Sequence, residues 1–166
     1  FIVRRFKVTL HNRLYNYYGN KDLLGLRKTA FLCSRIVCST AVLKCYDWAI
    51  EQRDKGNCVI SGFQSKIEKD VLHYLLQGTQ PIIIVLARGL MKRFEKPIKD
   101  ALSANRALII SPFSENITRP TAYLARKRNR VMFEMADKIV LGYVNTNGEL
   151  ARLKEEYEAR KEIIIL

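Results

Sequence analysis

The 166-residue sequence lacks features that would assign it to several protein classes. No apolar run approaches the roughly 18 residues that a membrane helix needs, and no secretory leader is recognisable. The four cysteines contain no Cys-x-x-Cys pair and there are only two histidines, so we expect no metal site. We expect reduced thiols in a cytoplasmic protein that has no membrane partner.

Catalytic signatures are missing as well. The sequence has no P-loop, no Gly-x-Gly-x-x-Gly, no His-Glu-x-x-His and no nucleophile elbow. His73 falls in a leucine-rich helical pattern, which favours a structural role. Glu149 is the one carboxylate placed at a predicted helix start to meet a ribose or phosphate, and complementing the helix dipole is the alternative role.

Acidic residues are scarce relative to basic ones. Sixteen Asp and Glu stand against 29 Lys and Arg, which gives a formal net charge of +13. The hydrophobic content of 48% is that of an ordinary globular chain. The excess charge predicts attraction to nucleic acid, acidic lipid or anionic metabolites, and the alternative is a solvated basic surface.

Strand-like and helix-like patterns alternate along the chain. Apolar segments predict strands at 30–33, 58–60, 81–87, 107–110, 138–141 and 163–166. Helical spacing predicts intervening helices at 39–56, 65–78, from 97 onward, 122–136 and 149–160. This alternation predicts an α/β Rossmann-like fold with three α/β/α layers and a mostly parallel sheet of about six strands.

The predicted fold divides the chain into two parts. Residues 1–28 are a basic lead-in that packs on the core and could add an N-terminal edge strand over 8–18. Residues 29–166 form the Rossmann-like domain. Among local signals, Ser65 and Glu68 have capping-box spacing, Pro97 suits a first helical turn, and Ser39 or Thr40, and later Asn147, could act as helix caps.

The loops that follow the predicted strands share a composition suited to anions. Right-handed crossovers place these loops at one edge of a parallel sheet, where ligands bind. Small residues let backbone N–H groups approach phosphate, Arg offers a planar fork, and Phe can stack on bases. The candidates are Ser34, Arg35, Ser61, Gly62, Phe63, Arg88, Phe113, Asn147 and Gly148. The alternatives are ordinary turns for the Ser-Gly pair and core positions for the two Phe residues.

A basic cluster precedes the fifth strand of the predicted domain. It contains Arg119, Arg126, Lys127, Arg128 and Arg130 and no acidic residue. Arg126 and Arg130 would share one helix face and Arg128 would point elsewhere, so at least one Arg faces protein or the binding edge. Asn129 suits either a ligand contact or a structural network. The alternative for the cluster is an exposed helix face.

Several of these motifs resemble the DNA-processing protein A (DprA or Smf) family. The similarity runs from about Tyr15 to the C-terminus. Its most specific parts are Tyr18-Gly19-Asn20 with Asp22-Leu23-Leu24, and Arg128-Asn129-Arg130. Cys33-Ser34-Arg35 stands where the family has Gly-Ser-Arg, and Ser61-Gly62 match its Ser-Gly. Leu86 to Leu90, Ser111-x-Phe113 and Asn147-Gly148-Glu149-Leu150 resemble further motifs. Ser65-Lys66 replace an Arg-Gly pair, and Lys66 is the candidate substitute for the missing Arg.

The resemblance implies a function in DNA processing. Its members have a Rossmann-like fold, bind single-stranded DNA in a basic pocket and help to load a RecA-type recombinase during natural transformation, with no cofactor and no reaction attributed to them. A homodimer is a further expectation. The alternative is a nucleoside monophosphate phosphoribohydrolase of the LOG type or a nucleotide sensor, with Arg128 and Glu149 at its centre. The loop at 142–149 lacks the glycine density of that enzyme family.

Overall fold

A computed structural model describes residues 6–166 of the chain. Its strands are β1 (Phe6–Leu10), β2 (Arg13–Gly19), β3 (Lys28–Leu32), β4 (Cys58–Ser61), β5 (Ile82–Val85), β6 (Ala107–Ser111), β7 (Lys138–Leu141) and β8 (Glu162–Ile165). Its α-helices are α1 (Ser39–Lys55), α2 (Lys66–Leu76), α3 (Lys96–Ser103), α4 (Ala122–Met135) and α5 (Glu149–Tyr157). A short 3-10 helix, Lys21–Gly25, connects β2 to β3.

The described strands form one mostly parallel sheet in the order β1-β2-β6-β5-β4-β3-β7-β8. All neighbouring pairs from β6 to β8 are parallel, whereas β2 is antiparallel to both β1 and β6. From β3 the chain builds β4, β5 and β6 on one side and then returns to place β7 on the other side. The predicted Rossmann-like α/β fold is therefore confirmed, and its switch in strand order lies between β3 and β7.

The number of strands differs from the prediction of about six with one N-terminal edge strand. The segment predicted as a single strand over 8–18 is a hairpin, β1 and β2, within the eight strands of residues 6–166. The chain reverses at His11 and Asn12, whose φ angles are 49° and 60°. Since β2 pairs with β6, it lies inside the sheet, and the lead-in contributes two strands to the same sheet as the domain.

The sheet is covered on both faces, as its continuous apolar strands require. Every residue of β5 and of β6 is buried. Alternate residues of these strands face opposite layers: Ile83 packs in a cluster with residues of α4 and α5, and Ile82 packs in another with residues of α1, α2 and α3. Within residues 6–166, every helix is too short or too polar to span a bilayer.

Two of the predicted helix starts are confirmed. Ser65 and Glu68 form a reciprocal capping box at the start of α2, and Pro97 lies in the first turn of α3. Two predicted caps are wrong. The residue preceding α1 is Cys38 rather than Ser39 or Thr40, and the residue preceding α5 is Gly148 rather than Asn147. Neither Cys38 nor Gly148 supplies a side-chain cap, since the Cys38 thiol makes no capping hydrogen bond and glycine has no side chain.

The four cysteines are free, and they differ in accessibility. Cys33, Cys45 and Cys58 are buried, whereas Cys38 is exposed. A hydrogen bond with Cys45, together with burial, raises the pKa of Cys33, and burial raises the pKa of Cys58 to about 12. The Cys33 and Cys58 thiols therefore stay protonated near neutral pH. The hydrogen bond with Cys33 lowers the pKa of Cys45, and burial keeps that thiol away from reagents.

We expect a thiol-specific reagent such as Ellman's reagent to modify one cysteine in the native chain and four in denaturant. The reason is that only the Cys38 thiol is accessible to the reagent. The Cys38→Ser variant is the control and should show no native reaction. Rapid native labelling of two or more thiols would contradict this account of the core.

Candidate nucleic-acid interface

The loops after β3 and β7 are joined at the edge where the parallel strands end, here called the carboxyl edge. Ser34 N donates to the Tyr143 carbonyl at 3.0 Å, and Asn145 N donates to Ser34 Oγ at 3.1 Å. Gly148 N donates to the Asn145 carbonyl at 3.0 Å. The backbone donors of Ser34 and Gly148, predicted from the sequence as phosphate contacts, are therefore already used within the protein.

Glu68 organises the centre of the carboxyl edge. Its side chain is buried, and Oε2 accepts from Cys33 N at 3.1 Å at the end of β3. Oε1 accepts from Gln64 N at 3.1 Å and Ser65 N at 3.5 Å, just before α2. A carboxylate with three backbone donors is well compensated for its burial. Glu68 thus fixes the loops after β3 and β4 relative to each other.

Arg128 reaches the same region from α4. It is buried, with 5% of its surface exposed, and a Cβ atom on Gly62 would overlap its guanidinium. Its Nε donates to Asn129 Oδ1 at 3.0 Å. Within residues 6–166, its Nη groups make no hydrogen bond and no ion pair. Gly62 is therefore needed because any side chain there would displace the guanidinium.

The electrostatics of Arg128 are those of an incompletely compensated charge. Burial lowers the pKa of Arg128, and the nearby Glu68 carboxylate opposes that shift. The Glu68 carboxylate accepts hydrogen bonds from backbone N–H groups, so it offsets only part of the Arg128 charge, through space and without a direct pair. A guanidinium in a low-dielectric position with free donors attracts an anion strongly.

Two exposed cations flank this centre. Arg35 lies in the loop after β3 and is exposed. Lys66 begins α2, its side chain is 83% exposed, and its Nζ lies 3.1 Å from Asp70 in a surface ion pair. We call the group of Ser34, Arg35, Ser61, Gly62, Lys66 and Arg128 the carboxyl-edge site. It combines one buried guanidinium with two exposed cations.

Other predicted residues of this edge have different surroundings. Phe63 is 5% exposed and packs in the apolar cluster of α1, α2 and α3, so its predicted stacking on a base is wrong. Its backbone, with a φ of 47°, turns the ring inward after β4. Arg88 is half-buried and its Nε folds onto the Gly89 carbonyl at 3.4 Å. Asn147 is exposed in the loop before α5.

The remaining predicted residues line a second depression, which we call the α4–α5 cleft. Its volume is about 680 Å³. Phe113, Arg126, Arg130 and Glu149 line it, as does Lys127 of the predicted basic cluster. The lining residues that sequence reasoning did not select are Arg13, Pro112, Tyr123, Val131, Arg152 and Leu153. Arg130 pairs with Glu156 of α5 at 2.5 Å, and this hydrogen bond raises the pKa of Arg130.

The arginines of α4 lie on two different faces of the helix, as helical geometry requires. Arg128 points to Gly62, while Arg126 and Arg130 line the α4–α5 cleft. Helical spacing in the sequence predicts this separation, but the prediction assigned all three arginines to one anion-binding site. The spacing of Tyr123, Arg126, Lys127 and Arg130 on one face of α4 could have predicted the cleft. Arg13 and Arg152 come from distant segments and carry no local signal for it.

Comparison with known proteins identifies a family that this chain matches. A family model for DNA recombination-mediator protein A matches residues 9–166. Comparison with curated protein sequences finds no match.

Solved structures with a similar fold include DNA processing protein A from Helicobacter pylori, described for its unique single-stranded DNA binding mode. Its TM-score is 0.77 at 17% identity, over 98% of this chain and 80% of that chain. DNA processing protein A from Streptococcus pneumoniae has a TM-score of 0.73 at 21% identity, over 92% of this chain and 54% of that chain. This chain thus spans about half the length of the Streptococcus chain.

A more distant similarity in fold is to the molybdenum cofactor binding protein from Rippkaea orientalis. Its TM-score is 0.57 at 11% identity, over 84% of this chain and 75% of that chain. This similarity shows the fold alone. Because the family model matches the chain from residue 9 to its last residue, the chain belongs to the DNA recombination-mediator protein A family.

Proposed function

We propose that this chain binds single-stranded DNA at the carboxyl-edge site and acts in DNA processing, recombination or natural transformation without catalysing a reaction. The observation that carries the proposal is Arg128, a buried guanidinium whose Nη donors are unused within the described chain. Burying such a charge costs stability unless an anion compensates it. A DNA phosphate supplies that compensation in a geometry that a guanidinium matches.

The surroundings of Arg128 favour a polymer over a single small anion. Arg35 is exposed in the loop after β3, and the Lys66 side chain is exposed at the start of α2. We propose that these two cations contact phosphates on either side of the one that Arg128 binds. A formal net charge of +13 favours encounter with a polyanion. Since these contacts address the backbone, we expect little dependence on base sequence.

The biological setting is part of the same proposal. Membership of the family supports a role in DNA processing. The Helicobacter relative, which is described as binding single-stranded DNA, supports the same role. We propose a RecA-type recombinase and a second copy of the chain as partners, and the cytoplasm as the location. The four free cysteines are consistent with a reducing compartment.

A phosphoribohydrolase would need Arg128 and Glu149 to act on one nucleotide. Glu149 lines the α4–α5 cleft, whereas Arg128 points to Gly62 and is not among the described residues that line that cleft. This separation favours binding over hydrolysis. Incubation with AMP provides the check, and release of the base would support the enzyme instead.

We expect the Arg35→Ala/Lys66→Ala double variant to bind fluorescent oligo-dT about tenfold more weakly than the unmodified chain, because it lacks two phosphate contacts. Fluorescence anisotropy at several salt concentrations measures the affinity. The slope of log affinity against log salt should become shallower by about 1.4, since each contact with a single strand contributes about 0.7.

The matched control is the Lys21→Ala/Arg27→Ala variant, which removes two exposed cations from the opposite edge of the sheet. It changes the net charge equally and should retain most of the affinity and the original salt slope. Equal losses in the two double variants would show that overall charge, not the carboxyl-edge site, determines binding.

A further inference from the structure

The lining of the α4–α5 cleft has an excess of positive charge. The cations that line it are Arg13, Arg126, Lys127, Arg130 and Arg152, and the one lining carboxylate is Glu149. Arg130 forms an ion pair with Glu156. Arg126, Lys127 and Arg152 are exposed and form no ion pair within residues 6–166. The cleft therefore has charge available for an anionic ligand.

An aromatic surface lies beside these cations. Tyr123, in the first turn of α4, is 56% exposed, and Lys127 Nζ lies 4.6 Å from the centre of its ring. Phe113 is half-buried in the loop after β6 and lines the same cleft. A flat ring next to cations suits an unpaired base with its phosphate, because every base has a face that can stack. Duplex DNA keeps its bases stacked inside, so its bases are not free to stack on this ring.

The α4 helix contributes arginines both to the α4–α5 cleft and to the carboxyl-edge site. Arg128 of α4 is directed to Gly62, while Arg126 and Arg130 line the cleft. No residue of the carboxyl-edge site is among the described residues that line the cleft. The first turn of α4 follows the loop after β6, so it lies at the carboxyl edge itself. A strand bound at one group of cations can therefore continue across this turn to the other.

We propose that the α4–α5 cleft is a second contact for the same single DNA strand, in which a base stacks on Tyr123 and Arg126 and Arg152 hold the adjoining phosphates. This inference rests on the proposed function and extends it, because it predicts that affinity depends on strand length. A short strand fills the carboxyl-edge site alone. A longer strand fills both groups of contacts.

The experiment measures binding of oligo-dT of about 6 and about 20 nucleotides by fluorescence anisotropy. The Arg126→Ala/Arg152→Ala variant should bind the long strand about tenfold more weakly than the unmodified chain and the short strand with unchanged affinity. The Lys21→Ala/Arg27→Ala variant is the charge-matched control. Tyr123→Ala should weaken binding of the long strand about fivefold or more, and Tyr123→Phe should restore it because the ring is retained.

The possible outcomes separate this inference from the proposed function. The second contact is wrong if the cleft variant binds the long strand as tightly as the control variant does. It is also wrong if the cleft variant loses the same affinity for the short strand as for the long strand. In both cases the proposal of the carboxyl-edge site is unaffected. If Tyr123→Phe binds as weakly as Tyr123→Ala, stacking is overturned. If the cleft variants fail on the long strand while Arg35→Ala/Lys66→Ala binds normally, the carboxyl-edge site is wrong and the cleft stands. Failure of the unmodified chain to bind either length overturns both.

Discussion

Replacing Glu68 with alanine is expected to lower the free energy of unfolding by about 3–5 kcal/mol, the largest effect on stability predicted here. The substitution removes the acceptor for the backbone N–H groups of Cys33, Gln64 and Ser65. It also removes the carboxylate that lies near the buried Arg128 guanidinium. Urea denaturation followed by circular dichroism measures the loss.

Two further variants calibrate the Glu68 experiment. Glu68→Gln keeps one side-chain oxygen as an acceptor and should lose less stability than Glu68→Ala. Glu158→Ala removes a carboxylate from an exposed pair with Lys154 and should change the free energy by about 0.5 kcal/mol or less. If Glu68→Ala and Glu158→Ala unfolded at the same urea concentration, Glu68 could not be the organiser of the carboxyl edge.

The Arg128→Met variant should bind oligo-dT about ten- to a hundredfold more weakly, since charge-assisted hydrogen bonds contribute about 1.5–3 kcal/mol. Its unfolding free energy should stay within about 1 kcal/mol of the unmodified chain or rise, because methionine fills a similar volume without the cost of a buried charge. Binding and stability would thus respond differently to one substitution. Anisotropy and urea denaturation on the same sample measure the two quantities.

Gly62→Ala tests the position of the guanidinium while keeping its charge. The new Cβ would overlap Arg128, so the guanidinium must move away from the loop after β4. We expect a loss of affinity comparable to that of Arg128→Met. A variant that bound oligo-dT normally would show that the contact between Gly62 and Arg128 has no part in binding. A large loss of stability in Arg128→Met would instead identify Arg128 as a structural residue.

Much of the fold follows from local patterns in the sequence. Continuous apolar segments such as Ile82–Val85 indicate strands buried on both faces, and Ser65 with Glu68 indicates where α2 begins. The N-terminal hairpin was not predictable in this way. Its turn at His11 and Asn12 adopts positive φ angles without the glycine that usually indicates such a reversal.

The candidate site was predictable in position but not in detail. Strand–helix alternation places the loops at one edge, and helical spacing separates Arg128 from its neighbours. The sequence could not show that Glu68 accepts backbone donors from two loops, because Cys33 lies 35 residues away. For the same reason it could not bring Arg13 and Arg152 into one cleft with α4. Such contacts depend on the register of packed elements.

The most direct test of the central claim is a salt titration of oligo-dT binding by the unmodified chain and by Arg128→Met. If the carboxyl edge binds the sugar–phosphate backbone, log affinity should fall linearly with log salt concentration. Arg128→Met should bind more weakly, and the slope of its line should be shallower by about 0.7. Affinity that does not change with salt, or identical lines for the two proteins, would contradict the claim that the buried guanidinium meets a DNA phosphate.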